Sequence, residues 1–407
     1  LVLSSLAILA LAGAARRCFG HSAGLIAAAL WAIPPVMPLV YSIMAMVGPI
    51  ENVLAIALAI AFWGSVSQSS SVPLFFTGCT GFCLGLGLWI NAQILFLLLP
   101  LCFLMSTPLC RMRGWRFYGV FGGSFIAGSM PLILYNIQHS FKTISSMAAG
   151  DGQGSVASNF MRDFLSEALP ALLGQKVSWR LTDTLALWPG SWMPIALAAF
   201  FVVLPLIYGI RRWIQRRPDE TRSELAVVFL LLAALCVGIL LFSASNRDTK
   251  DPRHLFLLSP IYLLLVTWGI RTLARRMTGV AITLVAFLLL WNIQGILQAS
   301  PRYYFQPIHM IAEGKYVPTS MKPVWRSLQE HRVDSVYIDY WMGANLAFEC
   351  HEQIPIFSVP RNRFVPEAQK AMRSALPAYL FHINQIDEPA FGEFLTQLGW
   401  RREKVLP

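Results

Sequence analysis

At 407 residues, 56% hydrophobic and only 13% charged, with a mean hydropathy of +0.56, the chain is too apolar for an ordinary soluble domain and reads as an integral membrane protein. Its net charge of +11 does not mark a nucleic-acid binder, because the basic residues form no single face or tail and fall in short clusters between apolar runs. The cysteines (Cys18, Cys79, Cys83, Cys102, Cys110, Cys236 and Cys350) show no disulfide framework and no metal-type spacing, and they read as small core hydrophobes.

A helix that crosses a bilayer needs about 20 apolar residues. On that rule the chain is expected to be an α-helical polytopic membrane protein with about ten spans, near 1–15, 22–41, 52–67, 73–89, 92–109, 117–135, 190–210, 224–243, 254–270 and 277–297. The pair within 73–109 is split only by Trp89, Ile90 and Asn91, and reads equally as two short helices or one hairpin. If the spans alternate, four basic clusters share one side: Arg16–Arg17, Arg111/Arg113/Arg116, Arg211/Arg212/Arg216/Arg217 and Arg271/Arg275/Arg276. By the positive-inside rule that side is cytoplasmic. The first span then runs from outside to inside, and the chain begins at Leu1. The simplest expectation is that an upstream span is missing from this sequence; a signal-anchor short of its first residues is the competing reading.

The first loop assigned to the outer side is Tyr41 to Asn52. Its Glu51 is the sole carboxylate between Leu1 and Asp151. A carboxylate beside hydrocarbon is costly unless solvated or paired, which makes it a candidate functional group. It can equally be a headgroup-level residue that opens a helix and suits the positive end of the helix dipole. Asn91 and Gln93 are polar groups between two apolar runs and need partners; a pocket near Glu51 and helix–helix hydrogen bonding both remain open for them. His139 follows a span on the same side.

The outer loop 136–189 is long enough for helices lying on the membrane. Residues 159–170 place Phe160, Phe164 and Leu165 on one face, with Arg162, Asp163 and Glu167 largely on the other. Trp179, Trp188 and Trp192 suit an interfacial belt. The loop 244–253 is dense in charge, and its Lys250 and Arg253 stand at the mouth of a span that opens with His254. Arginine suits bidentate contact with a phosphate.

After the last span the composition changes. Residues 322–407 alternate helix and strand signals: helix 322–331, strand 335–339, helix 342–350, strand 354–359, helix 366–374, strand 378–383, helix 388–398 and strand 403–406. The expected organisation is a transmembrane domain at 1–299 and a small α/β domain at 300–407 on the outer side. The α/β part has no Gly-rich phosphate loop, metal spacing or nucleophile elbow, and reads as a lid or docking module.

Several stretches, taken in order, carry a resemblance: 14–30; Gly48-Pro-Ile-Glu-Asn52 opening a span; 81–91; Pro131 to His139; and Asp251-Pro-Arg-His-Leu-Phe-Leu-Leu-Ser-Pro260, with 336–341 through Arg363 in the outer domain. Together they resemble the GT-C membrane glycosyltransferases, specifically the relatives of glycosyltransferase family 39. These include the dolichyl-phosphate-mannose–protein mannosyltransferases and the aminoarabinose transferases of lipid A. The resemblance implies a GT-C-like fold in a bacterial inner membrane. It also implies transfer of a sugar from a polyprenyl-phosphate-linked donor to an acceptor, which is unknown here. By resemblance Glu51 matches the second acidic position, near the donor or a metal, while the principal base would lie upstream of Leu1. Arg253, with Lys250 and His254, would face the donor phosphate; Tyr41, Asn91 and His139 would line the pocket. Asn91 departs from the family pattern, in which a Thr-Lys or Thr-Asn pair is common. A divalent metal ion is the one cofactor the resemblance leaves open. The expected partners are the lipid-linked donor and the bilayer, with no nucleic acid. Two rival classes stay in view, a transporter or flippase of a lipid-linked substrate and a non-catalytic assembly protein.

Overall fold

The computed structural model describes residues 2–36, 38–39, 49–68, 74–106, 114–139, 141, 169–175, 196, 199–201, 203–204, 207, 211, 220–245, 256–299, 308–312, 315–318, 320–351, 353–359 and 377–380. The chain divides into two compact units, Leu1–Ala299 and Ser300–Pro407.

The first unit is a helical bundle. Its described helices are α1 (Val2–Phe19), α2 (His21–Ala32), α3 (Pro49–Gln68), α4 (Leu74–Ile90), α5 (Leu95–Ser106), α6 (Trp115–Gln138), the single turn α7 (Leu169–Leu172), α8 (Glu220–Ser245), α9 (Ser259–Ala274) and α10 (Thr278–Ala299). Among the described residues, five helical segments are long and apolar enough to cross a membrane: Val2–Phe19, Ile50–Ser67, Trp115–Gln138, Phe256–Ala274 and Thr278–Gln298. Four shorter apolar helices accompany them. This is the architecture of a helical membrane protein. Most of the expected span 190–210 lies outside the described residues.

Two expected spans change shape. The run at 22–41 is not continuous: α2 stops at Ala32, and Ile33 leaves the helical region with φ −127° and ψ 71°. The cause is Pro34–Pro35, since a residue before proline is pushed out of the helical region and proline cannot donate a backbone hydrogen bond. The carbonyl of Ile33 instead accepts from Asn292 Nδ2 on α10 at 2.6 Å. The ambiguous pair at 73–109 resolves into two helices, α4 and α5, joined by a 3-10 turn at Ala92–Ile94.

Packing in the bundle depends on small residues. Helix α1 turns straight into α2 at Gly20, whose φ of +97° suits glycine. Helices α4 and α6 approach backbone to backbone. A Cβ placed on Gly81 would lie 2.4 Å from the Phe121 carbonyl oxygen, one on Gly85 2.1 Å from that of Phe125, and one on Gly128 2.3 Å from that of Phe82. This is the small-xxx-small logic of membrane helix pairs, where close approach replaces the hydrophobic drive that lipid removes. Helix α9 is the central post: from Pro260 to Ile270 every residue except Tyr262 is buried.

The second unit holds an antiparallel pair, β1 (Ile308–Ala312) with β2 (Lys315–Pro318), which the sequence reading did not anticipate. It is followed by α11 (Lys322–Glu330), β3 (Ser335–Asp339), α12 (Tyr340–Glu349), β4 (Ile356–Val359) and β5 (Pro377–Leu380). The last three strands form a parallel sheet in the order β4-β3-β5. On one face Val336 and Ile338 are buried against Met321, Leu328, Met342 and Leu346 from the helices. On the other face Tyr337 stacks on Tyr379 at 4.7 Å and meets Phe357 at 5.0 Å. Burial raises the phenol pKa of both tyrosines above the usual value, and the neighbouring Tyr337 adds to the effect at Tyr379. The expected elements at 366–374, 388–398 and 403–406 lie outside the described residues.

Candidate functional site

The two ends of the bundle differ in chemistry. At one end the close of α1, the close of α3 and the close of α9 converge. Arg17 donates to Ser65 Oγ, and its guanidinium lies 5.6 Å from the Phe76 ring centroid. Arg271 lies against Gly20 and pairs with Glu224 at 2.9 Å. The same Glu224 Oε1 accepts from Trp268 Nε1 at 2.7 Å. Two of the basic clusters read from the sequence, at Arg16–Arg17 and at Arg271, are thus brought to one end of the fold.

The opposite end carries Glu51. Helix α3 opens with Pro49, whose fixed φ suits the first helical position, and Glu51 follows in its first turn, where a carboxylate suits the helix dipole. Glu51 is half-buried and engaged in an interaction of its own. The next residue, Asn52, is fully buried, and among the described residues neither its Nδ2 nor its Oδ1 has a hydrogen-bond partner. A buried amide left unpaired costs about 1–3 kcal/mol. Its Oδ1 sits over Gly87 of α4: a Cβ there would lie 3.1 Å from that oxygen and 2.2 Å from Ile94 Cδ1. The start of α3, the end of α4 and the 3-10 turn therefore meet at one point.

That turn explains Asn91. Its backbone is extended, its Oδ1 accepts the Gln93 N–H at 2.9 Å, and its Nδ2 lies 3.5 Å from Gln93 Oε1. The side chain caps the turn locally, so these contacts are not the helix–helix hydrogen bonds weighed for it. Asn91 N–H donates to the carbonyl of Gly87 at 2.8 Å, which ties this cap to the residue beneath Asn52. His139 closes α6: its Nδ1 donates to the Tyr135 carbonyl at 2.9 Å and its ring stacks on Tyr135 at 4.2 Å. It is held by its own helix, as a C-terminal cap.

The same end is closed by a segment from the long loop. Leu173 offers its carbonyl to Trp291 Nε1 at 3.1 Å, and Gly174, at φ +81°, packs on Pro35. Tyr41, Lys250, Arg253 and His254 lie outside the described residues, as do the amphipathic stretch 159–168 and Trp179, Trp188 and Trp192. Among the described residues no three His, Cys, Asp or Glu side chains come together.

Sequence reasoning passed over two features here. Asn52 was readable as a second polar residue beside Glu51 at the head of an apolar run. Glu224 was readable as the acid at the head of the run 224–243, though its partners Trp268 and Arg271 are more than 40 residues away. A comparison with protein-family models finds no match, and neither does a comparison with curated proteins.

Proposed function

We propose that this protein is a membrane glycosyltransferase of GT-C type, moving a sugar from a polyprenyl-phosphate-linked donor to an acceptor at the Glu51 end of the bundle. The single observation that supports this reading most is the Glu51–Asn52 pair. An acid and an unsatisfied amide stand side by side at the mouth of an otherwise apolar bundle. A buried amide with both functions open suits hydroxyl or phosphate oxygens, which can both accept and, for hydroxyls, donate.

In this reading the basic end faces the cytoplasm and the Glu51 end faces outward, with the second unit on the outer side. Transfer from a lipid phosphate needs a base to deprotonate the acceptor and positive charge to stabilise the departing phosphate. Arg253 and Lys250 supply the charge, with His254 beside them. Glu51 orients the donor, with the buried Asn52 next to it in the chain. The principal base is not assigned to a residue of this chain.

The test is transfer from a polyprenyl-phosphate sugar in membranes containing the full-length protein. Glu51→Gln and Arg253→Ala should each lower turnover by about a hundredfold, the loss typical of one missing electrostatic contact to the transition state, while folded protein persists. Wild-type turnover in both variants overturns the site. Movement of the lipid-linked sugar across the bilayer without transfer would favour a transporter.

A further inference from the structure

A groove on the flank of the bundle is independent of the Glu51 end. It is an open groove of about 450 Å³ between α3, α4 and α6. Its walls are almost wholly apolar. Phe62 comes from α3, Phe75, Phe82 and Cys83 from α4, and Val120 from α6, with Ser124 at the edge. The α4 residues recur at spacings of seven and eight, the period of one helix face. Phe75 and Phe82 are exposed on the outer surface of this membrane helix, so the groove opens where hydrocarbon surrounds the bundle.

Its charged surroundings are asymmetric. Phe62 stacks on Phe76, and Phe76 meets Phe75 edge to face. Over Phe76 lies the guanidinium of Arg17, which is itself exposed. On the opposite wall, Arg116 stands one helical turn before Val120 on the same face of α6. It is exposed beside Trp115, with its guanidinium 5.7 Å from the indole. Trp115 is 80% exposed, as suits a ring at the headgroup level. Two arginines outside the lining, Arg17 of α1 over Phe76 and Arg116 of α6 one turn before Val120, thus stand toward the basic end of the bundle, and the groove's own walls are hydrocarbon.

We propose that this groove is a binding site for an anionic phospholipid, one acyl chain lying along Phe62, Phe82 and Val120 and the phosphate reaching the exposed Arg116, with Arg17 adding positive charge toward the same end. Both arginines belong to the end of the bundle with the basic clusters, so the lipid comes from the leaflet on that side. Arginine recognises phosphate oxygens through its fork of donors, and the apolar walls fit the chain of any phospholipid. The headgroup charge supplies selectivity.

Native mass spectrometry of the full-length protein in mild detergent, with added phosphatidylglycerol or phosphatidylcholine, tests this. Phosphatidylglycerol should bind at one site and phosphatidylcholine far more weakly. Arg17→Gln with Arg116→Gln should weaken phosphatidylglycerol binding by roughly thirtyfold, about fivefold for each arginine near a membrane surface. Cys79→Phe, which fills the groove and keeps both arginines, should abolish the single-site signal in protein that still elutes as one folded species. Equal binding of the two lipids, or phosphatidylglycerol binding unchanged in both the double variant and Cys79→Phe, overturns the proposal.

Discussion

The two ends of the helical bundle hold different polar groups. Near the basic end one ion pair is complete, with Glu224 serving Trp268 and Arg271 together and Arg17 reaching Ser65, while Trp63 Nε1 and the hydroxyls of Thr267 and Thr272 are buried without a hydrogen-bond partner among the described residues. At the other end the fold leaves Asn52 buried and unpaired beside Glu51, although Asn91, a few residues from Gly87, is fully used in its local cap. Polar groups in a membrane protein normally find partners, because neither lipid nor apolar core offers any. An end that leaves an amide open has stability to gain from whatever binds there. The function proposed above rests on that amide and on Glu51 beside it in the chain.

Four substitutions sharpen or break this contrast. The largest effect is expected from Gly85→Leu, because even a Cβ there would sit 2.1 Å from the Phe125 carbonyl oxygen. Forcing α4 from α6 should lower stability by about 3 kcal/mol and disturb the Gly87 floor beneath Asn52. Thermal unfolding in detergent measures it, and an unchanged midpoint would show that the two helices do not depend on this contact. Next is Glu224→Ala, which strands a mostly buried guanidinium and an indole N–H. It should cost about 2 kcal/mol, with Arg271→Ala adding little on top of it in a double-mutant cycle.

Asn52→Leu should act in the reverse direction. Replacing an orphaned amide by hydrocarbon of similar size should raise stability by about 1 kcal/mol, while transfer activity falls. A destabilised Asn52→Leu protein would mean that the amide is satisfied in the folded state and that the two ends are alike. The smallest change is His139→Ala. It removes a C-terminal cap and a ring stack at the surface, an effect of about 0.5 kcal/mol on helix α6, and activity should stay at the wild-type level. A large loss of turnover there would return His139 to the pocket.

Much of the fold was legible because its signals are local. Runs of apolar residues long enough to span a bilayer marked α1, α3, α6, α9 and α10, and the switch to short alternating segments after Ala299 marked α11, β3, α12, β4 and β5. The break at Pro34–Pro35 was equally local but was outweighed by the hydropathy of the run around it. The β1–β2 pair was missed because 308–318 carries Lys315 and Pro318 and little strand patterning. Of the site, Glu51 was visible as an isolated carboxylate and Asn91 as a polar break. Asn52 gained its meaning only when Gly87 and Ile94 closed over it.

By itself the sequence determined that this chain is helical and membrane-bound, that its basic residues gather between spans, and that a small α/β unit follows. Hydropathy and period are summed over neighbours in the chain, so no partner is needed to read them. The tertiary structure alone decided that α4 and α6 touch at Gly81, Gly85 and Gly128, that Glu224 meets Arg271 from 47 residues away, and that Asn52 is left without a hydrogen-bond partner among the described residues. It also decided that Phe62, Phe82 and Val120 wall one groove. Each of these depends on which helix faces join, and in lipid that choice rests on close packing and hydrogen-bond satisfaction between distant segments, which no stretch of one helix encodes.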